Sequence, residues 1–348
     1  MLIERNKFLE LLSTILPGIA RKDFVDQFTH FIFDKKRAVT YNEQVCVCMP
    51  FRTEFACSVA ADEFLKLIKS LRAEELELGM IQNGEKHAMT ITADKVEAEL
   101  AVAGNIEEVE KNVKRLKLTT LATLWKPVPD DFAQALQWCL FSASKDATLG
   151  KLTCLHIKKK VVTSSDDLRI SQFTMSGSMD ADIMIPASTV EELCKFEIQD
   201  FCVVDPWAYF KTANGAIFCA HLKSDDTPYP NPKAEFEFEG VEVELPGELK
   251  SALESAEIMA AGDFPTDKRV RLTIDKGILT VYAENDALGW IKTKVKMGIK
   301  NAPTVSIVVN PIFLQEILGK TSSVKIGEDR ALFQTDNFMH LVSLHAGE

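Results

Sequence analysis

The chain has 348 residues, 46% of them hydrophobic and 26% charged, and a formal net charge of −11. At this size it can bury roughly three quarters of the surface its unfolded form exposes, enough for two or three domains. The acidic balance excludes generic adhesion to DNA through a basic surface, though not a locally basic cleft, and no apolar run approaches the roughly 20 residues that a bilayer-spanning helix needs.

In chain order, the opening "MLIERNKFLELLSTILPGI" carries Glu4, Arg5, Lys7 and Glu10 among its apolar residues, unlike a secretory segment, and the expectation is a cytosolic protein. A first helix is predicted over "NKFLELLSTIL". The stretch "AVTYNEQVCV" (Ala38 to Val47) is an apolar strand, a short polar corner and an apolar strand again. Cys46 and Cys48 lie two apart and so share a strand face, where a small buried hydrophobe is the ordinary role and a metal or redox role the alternative. "VAADEFLKLIKSL", from Val59, is a strand end followed by a second helix, and "KHAMTITADKVEAELAV" alternates like a hairpin.

The same order then returns. In "PDDFAQALQWCLFSAS" the residues Phe132, Leu136, Cys139 and Leu140 form the stripe of a helix packed on one face, with Pro129 just before it. "VVTSSDDLRI" (Val161 to Ile170) repeats the strand–corner–strand pattern, "IPASTVEELCKF" repeats the strand end and helix, and "FCVVDPWAYFKTANGAIFCAHL" repeats the hairpin. A third round follows in "PGELKSALESAEIM" (after Pro246), "VRLTIDKGILTVYAENDAL" and "VNPIFLQEILGK". Phe64, Val190 and Leu314 stand 126 and 124 residues apart, each followed three residues later by Leu67, Leu193 or Ile317; the helix leads Phe8, Phe132 and Leu249 are 124 and 117 apart. A unit of about 116 residues, repeated three times, is therefore expected. Each is an α+β layer with two helices on one face of antiparallel sheets, in domains 1–120, 121–240 and 241–348.

No catalytic constellation emerges. The eight cysteines include no C-x-x-C pair, and His156, His221 and His340 alternate with apolar strand neighbours, as hydrogen-bonded structural histidines do. Asp180 and Asp182 in "SMDADIMIP" are read as two apart on one strand face; they are a solvated strand end or, as the alternative, a cation or acid pair. Neither a G-x-x-x-x-G-K-[ST] nor a G-x-G-x-x-G phosphate loop occurs, so no enzyme activity, metal or cofactor is expected.

Taken together, the repeats resemble the bacterial-type DNA polymerase sliding clamp, the β clamp or DNA polymerase III beta subunit. "SSDDLRI" (Ser164 to Ile170) corresponds to the family's A-T-D-G-H-R-L corner, and "FCAHLKSDDTPYPN" (Phe218 to Asn231) to its F-x-x-x-L-x-x-G-x-(F/Y)-P-(D/N). "RLTIDKGILTVYAENDALG", "IVVNPIFLQEIL" and "SSVKIGED" resemble stretches at the same places in the third domain. The resemblance implies a homodimer of two head-to-tail subunits closing a six-domain ring around double-stranded DNA, without base contacts. It implies a processivity factor that tethers a replicative DNA polymerase and is opened by a separate ATP-dependent clamp loader. The rival readings are a clamp-fold polymerase accessory that closes no ring, and a structural assembly protein.

Carried over residue by residue, the resemblance places duplex contacts at Arg21, Lys22 and Lys151. Further cations near the helices are Lys69, Arg72, Lys145, Lys195 and Lys250, whose ordinary role is to complement a helix C-terminus. The partner-peptide pocket maps to Leu152, Ser165, Asp167, Arg169, Ile170, Ser323, Leu341, Val342, Ser343 and Leu344, for several of which core packing is the alternative. Two departures stand out: the family's Gly-His is Asp167-Leu168, and its M-P-M-R-L is "SLHAG" from Ser343. Losing adaptable thioethers there implies an altered peptide preference. The dimer interface maps to Ile258 and Met259, with Leu100 as the first-domain candidate.

Overall fold

The computed structural model describes every residue except 21–27, 84–85, 103–110, 112–113, 115–117, 225–226, 299–302 and 346–348. One element order occurs three times: a strand, a helix, four strands, a second helix and three strands. In the first repeat these are β1 (Leu2–Glu4), α1 (Arg5–Ile15), β2 (His30–Asp34), β3 (Arg37–Tyr41), β4 (Val45–Pro50), β5 (Ala56–Ala60), α2 (Ala61–Ser70), β6 (Glu75–Asn83), β7 (Lys86–Ala93) and β8 (Val96–Ala101). The second has β9 (Lys126–Pro127), α3 (Phe132–Leu140), β10 (Cys154–Lys158), β11 (Val161–Ser165), β12 (Arg169–Thr174), β13 (Asp182–Pro186), α4 (Ala187–Leu193), β14 (Ile198–Val204), β15 (Trp207–Thr212) and β16 (Ile217–His221). The third has β17 (Val241–Glu244), α5 (Leu249–Met259), β18 (Val270–Asp275), β19 (Ile278–Asn285), β20 (Gly289–Lys296), β21 (Val305–Val309), α6 (Pro311–Leu318), β22 (Ser323–Ile326), β23 (Arg330–Gln334) and β24 (Phe338–Ser343).

The polar corners are the β3–β4, β11–β12 and β19–β20 turns. At each an Asx side chain folds back on the backbone: Asn42 Oδ1 accepts from the Val45 amide at 2.8 Å, Asp166 Oδ1 from that of Arg169 at 2.8 Å, and Asn285 Oδ1 from that of Ala287 at 2.9 Å. Such a bond replaces part of the ladder where the chain reverses. Glu43 and Asp167, next in two of these turns, hold φ of 69° and 74°, tolerable here because the turn fixes them.

The helices form where apolar stripes meet these sheets. Phe8 of α1 and Phe64 of α2 are fully buried and meet edge to face, 5.8 Å between centroids, beside Phe33 and Phe51. Each such burial contributes about 1.5–3 kcal/mol. Arg5 ties the two helices, its guanidinium donating to the Ile68 and Lys69 carbonyls that α2 leaves unpaired at its end. In α6, Asn310 caps the first turn by accepting from the Ile312 amide at 2.9 Å, with Pro311 at the first helical position. Helices α5 and α6 pack on each other, and α5 lies over β18, β19 and β20.

The repeats do not close on themselves. The chain forms two compact units, Met1–Ala133 with Gly177–Ser224, and Gln134–Ser176 with Asp225–Glu348, so the second repeat is shared between them. Sheet pairing is the reason. In the first unit the order β5-β2-β3-β4-β16-β15-β14-β9 joins strands of the first and second repeats through the β4–β16 ladder, with Val47 opposite Phe218 and Cys46 opposite Cys219. In the second unit β10-β11-β12-β24-β23-β22-β17 joins the second and third repeats through β12–β24, from Arg169 opposite Val342 to Phe173 opposite Phe338. The two remaining sheets, β1-β6-β7-β8 and β20-β19-β18-β21, each have four strands and end on β8 and β20, the strands that correspond to β16 or β24 and to β4 or β12. No helix among the described residues is long and apolar enough to cross a membrane.

Candidate functional site

Of the predicted phosphate-contacting cations, Arg21 and Lys22 lie outside the described residues. Lys69, Arg72, Lys145 and Lys250 are exposed. Lys151 is half-buried, its Nζ donating to Thr227 Oγ1 at 2.6 Å and to the Pro228 carbonyl at 2.8 Å, and Lys195 pairs with Glu192 at 2.6 Å. Across the six described helices there are five cations and eight carboxylates, so the helical surface is weakly acidic. In the first unit an open groove of about 900 Å³ beside α1 and α4 is lined by Asp62, Glu63 and Glu192, with Lys195 as its one cation among the lining residues.

The predicted pocket residues divide between the two faces of the β12–β24 sheet, because side chains alternate along a strand. Ile170 and Leu341 stand opposite each other on one face, within a cluster of Phe236, Leu332, Phe238 and Met339. Phe236 comes from the turn of helix at Pro232–Phe236, in the segment laid over this face; Tyr229, earlier in it, stacks on His156 at 4.9 Å. Lys325 and Arg330 sit over the Phe238 ring, 4.5 and 5.9 Å from its centre. Ser323 is exposed at the start of β22, Asp167 is exposed at the corner, and Leu152, Ser343 and buried Ser165 and Leu344 flank the strands.

Arg169 and Val342 belong to the helix-covered face. Arg169 is 7% exposed and lies 3.9 Å over the Phe313 ring of α6. Its guanidinium pairs with Asp166 at 2.7 Å and with Glu316, and donates to the Phe141 carbonyl at 2.8 Å. Lys320 caps the same cluster, 4.1 Å over Phe141, and burial lowers its pKa. Beneath them His340 Nδ1 meets Ser171 Oγ at 2.9 Å, itself 2.7 Å from Ser142 Oγ, while Nε2 has no partner among the described residues. Burial first, and then Arg169 and Lys320, hold the His340 pKa well below its ordinary value. A sealed, neutral imidazole of this kind is structural.

At the sheet ends, β8 presents Glu97 and Glu99 outward and turns Ala98 and Leu100 inward, whereas β20 presents Trp290, Lys292, Lys294 and Lys296 outward above Ile291, Thr293 and Val295. Ile258, at the end of α5, is 72% exposed; Met259 is half-buried near Gly289 at the start of β20. This charge contrast and the Phe236–Met339 cluster escape a motif-based reading. The alternations "VEAELA" and "WIKTKVK" carry the first; nothing local carries the second.

Cys46 and Cys48 do share a buried face, Sγ atoms 3.7 Å apart, in the company of Cys219; burial first raises the Cys46 thiol, and the contact with Cys46 and then burial raise that of Cys48. Asp180 is not on the strand expected to hold it; it precedes β13 with φ of 49° and pairs with Lys126 at 3.1 Å. Among the described residues no group of three or more His, Cys, Asp or Glu is placed to hold a metal.

Three α+β repeats joined edge to edge by antiparallel ladders define a clamp-type fold. Solved structures make the likeness specific. The chain matches the beta subunit from DNA polymerase of Streptococcus pyogenes at TM-score 0.81 and 18% identity, covering 99% of both chains. It matches the DNA polymerase sliding clamp of Bacillus subtilis at 0.80 and 15%, covering 100% of this chain and 99% of that one. The sliding clamp (DNA polymerase III subunit beta) of Bartonella birtlesii gives 0.83 and 16%, with the same coverage. The fold is that of these clamps. No protein-family model and no curated protein sequence matches the chain.

Proposed function

We propose that the protein is a DNA sliding clamp: a non-enzymatic homodimer that encircles duplex DNA and tethers a replicative polymerase, placed there by an ATP-dependent loader. The observation that carries this reading is the edge count. Two ladders, β4–β16 and β12–β24, join consecutive repeats, and the corresponding strands left over are β20 and β8. A second copy supplies the missing partner for each, so head-to-tail pairing of β20 with the partner's β8 makes every repeat–repeat junction alike and leaves no edge of that kind open.

Charge specifies the pairing. An antiparallel β8–β20 ladder sets Glu97 and Glu99 beside Lys292 and Lys294, and brings Leu100 toward Ile258 and Met259. In this reading the three repeats, taken as 1–120, 121–240 and 241–348, supply the six helices that face the duplex. Their weakly acidic sum suits a sleeve that retains DNA by topology rather than affinity. Lys69, Arg72, Lys145, Lys195 and Lys250, with Arg21, Lys22 and Lys151, are assigned to sparse phosphate contacts. The face bearing Ile170, Leu341, Met339 and Phe238 receives the peptide by which polymerase and loader attach, an apolar anchor being the usual core of such a contact.

The experiment is retention of loaded protein on nicked circular DNA, with release on linearisation, alongside solution mass. A dimer that slides off linear ends supports the reading. A monomer at all accessible concentrations, or equal retention on linear and circular DNA, sinks it.

A further inference from the structure

The outward face of the β20-β19-β18-β21 sheet combines aromatic rings with cations in a chain whose net charge is −11. Trp290, 66% exposed, stacks on Tyr282 with centroids 6.4 Å apart and planes inclined by 30°. Beyond Trp290 the same strand carries Lys292, Lys294 and Lys296 on the same face. Across the sheet Arg271, Tyr282 and Lys292 stand in one register row. The carboxylates on this face are Glu284, which accepts from the Tyr282 hydroxyl at 2.6 Å, and Asp275 at the far end; Arg271 and Lys296 are the cations that lie outside the β8–β20 pairing. Inward side chains Leu272, Leu279 and Val281 are buried beneath, which holds the outward ones on a firm base.

We infer that this face binds single-stranded DNA, with bases stacked on Trp290 and Tyr282 and phosphates held by Arg271 and Lys296. Stacking on exposed rings with flanking cations is how sequence-tolerant single-strand sites are built. The choice of DNA over RNA rests on the clamp reading above; the platform does not. In the clamp reading, pairing of β20 with another strand uses its backbone edge and engages Lys292 and Lys294 with the facing Glu97 and Glu99, but leaves Trp290, Tyr282, Arg271 and Lys296 on the surface.

The test is fluorescence anisotropy of a labelled oligo(dT) of about 12 nucleotides with the full chain at low salt. Trp290→Ala should weaken binding roughly 10-fold without changing the protein's mass in solution. The pair Arg271→Ala and Lys296→Ala should flatten the slope of log affinity against log salt by about 1.4, two phosphate contacts at about 0.7 each. Binding untouched by Trp290→Ala, equal competition by duplex of the same length, or oligo(U) binding as tightly as oligo(dT) would overturn the inference. So would a Trp290→Ala variant whose only change is in oligomeric mass, which would make the face a protein contact. Topological retention, the test of the clamp reading, is read separately and does not need Trp290.

Discussion

Arg169 draws its partners from three segments: Asp166 in its own turn, Phe141 after α3, and Phe313 with Glu316 in α6. Its charge is compensated only by that arrangement, and removing one member of a buried pair leaves the other unsolvated. Arg169→Leu is expected to cost about 3 kcal/mol, the low end of the range for buried pairs because Glu316 keeps some access to water; the urea midpoint measures it. His340 makes a pH prediction. In the unfolded chain it takes up a proton near pH 6.5, whereas burial beside Arg169 and Lys320 keeps the folded imidazole neutral well below that. Below about 6.5 the unfolded state therefore binds more protons, and stability falls as pH falls, by up to about 1.4 kcal/mol per unit. Above that value the contribution is flat. Comparing urea unfolding of wild type and His340→Gln between pH 7 and 5 isolates it; equal pH slopes would refute it.

Among the elements, the unpaired edges matter most. Single exposed ion pairs are worth about 0–1 kcal/mol, but like charges placed opposite each other repel. On the clamp reading, Glu97→Lys with Glu99→Lys is expected to weaken the proposed dimer about 10- to 100-fold by analytical ultracentrifugation, and adding Lys292→Glu with Lys294→Glu should restore it. Failure of the swap to restore mass would place the junction elsewhere. Aromatic and Asx residues made these elements readable in advance: the corners at Asn42, Asp166 and Asn285 show as polar breaks between apolar strands, and the helices as stripes through Phe64, Val190 and Leu314. Asp180 misled because alternation continues through "SMDADIM" although the strand starts only at Asp182. Periodicity does not show where pairing begins.

At the scale of the molecule, the eight carboxylates and five cations on the helices predict a shallow salt dependence for linear duplex, fewer than about three phosphate contacts' worth of slope. A steep slope would mean a binding mode based on affinity. On the clamp reading, Met339→Asp, at a half-buried position of this face, should abolish polymerase association while leaving the proposed dimer and its retention on nicked circles intact, since the strands of this cluster share no sheet with β8 or β20.

Composition, repeat spacing and turn chemistry by themselves determined the α+β class, the threefold order and the absence of a recognisable reaction motif, because these follow from local backbone preference and from patterns that recur along one chain. Tertiary structure alone decided which strands meet across repeats, that the second repeat is divided between two compact units, and that Arg169 and Ile170, neighbours in sequence, face opposite ways into different surroundings. Those outcomes depend on ladders between residues up to 175 positions apart, such as Val45 with Ala220 and Arg169 with Val342. A strand's own sequence shows that it has two faces and two edges, but not what will cover them.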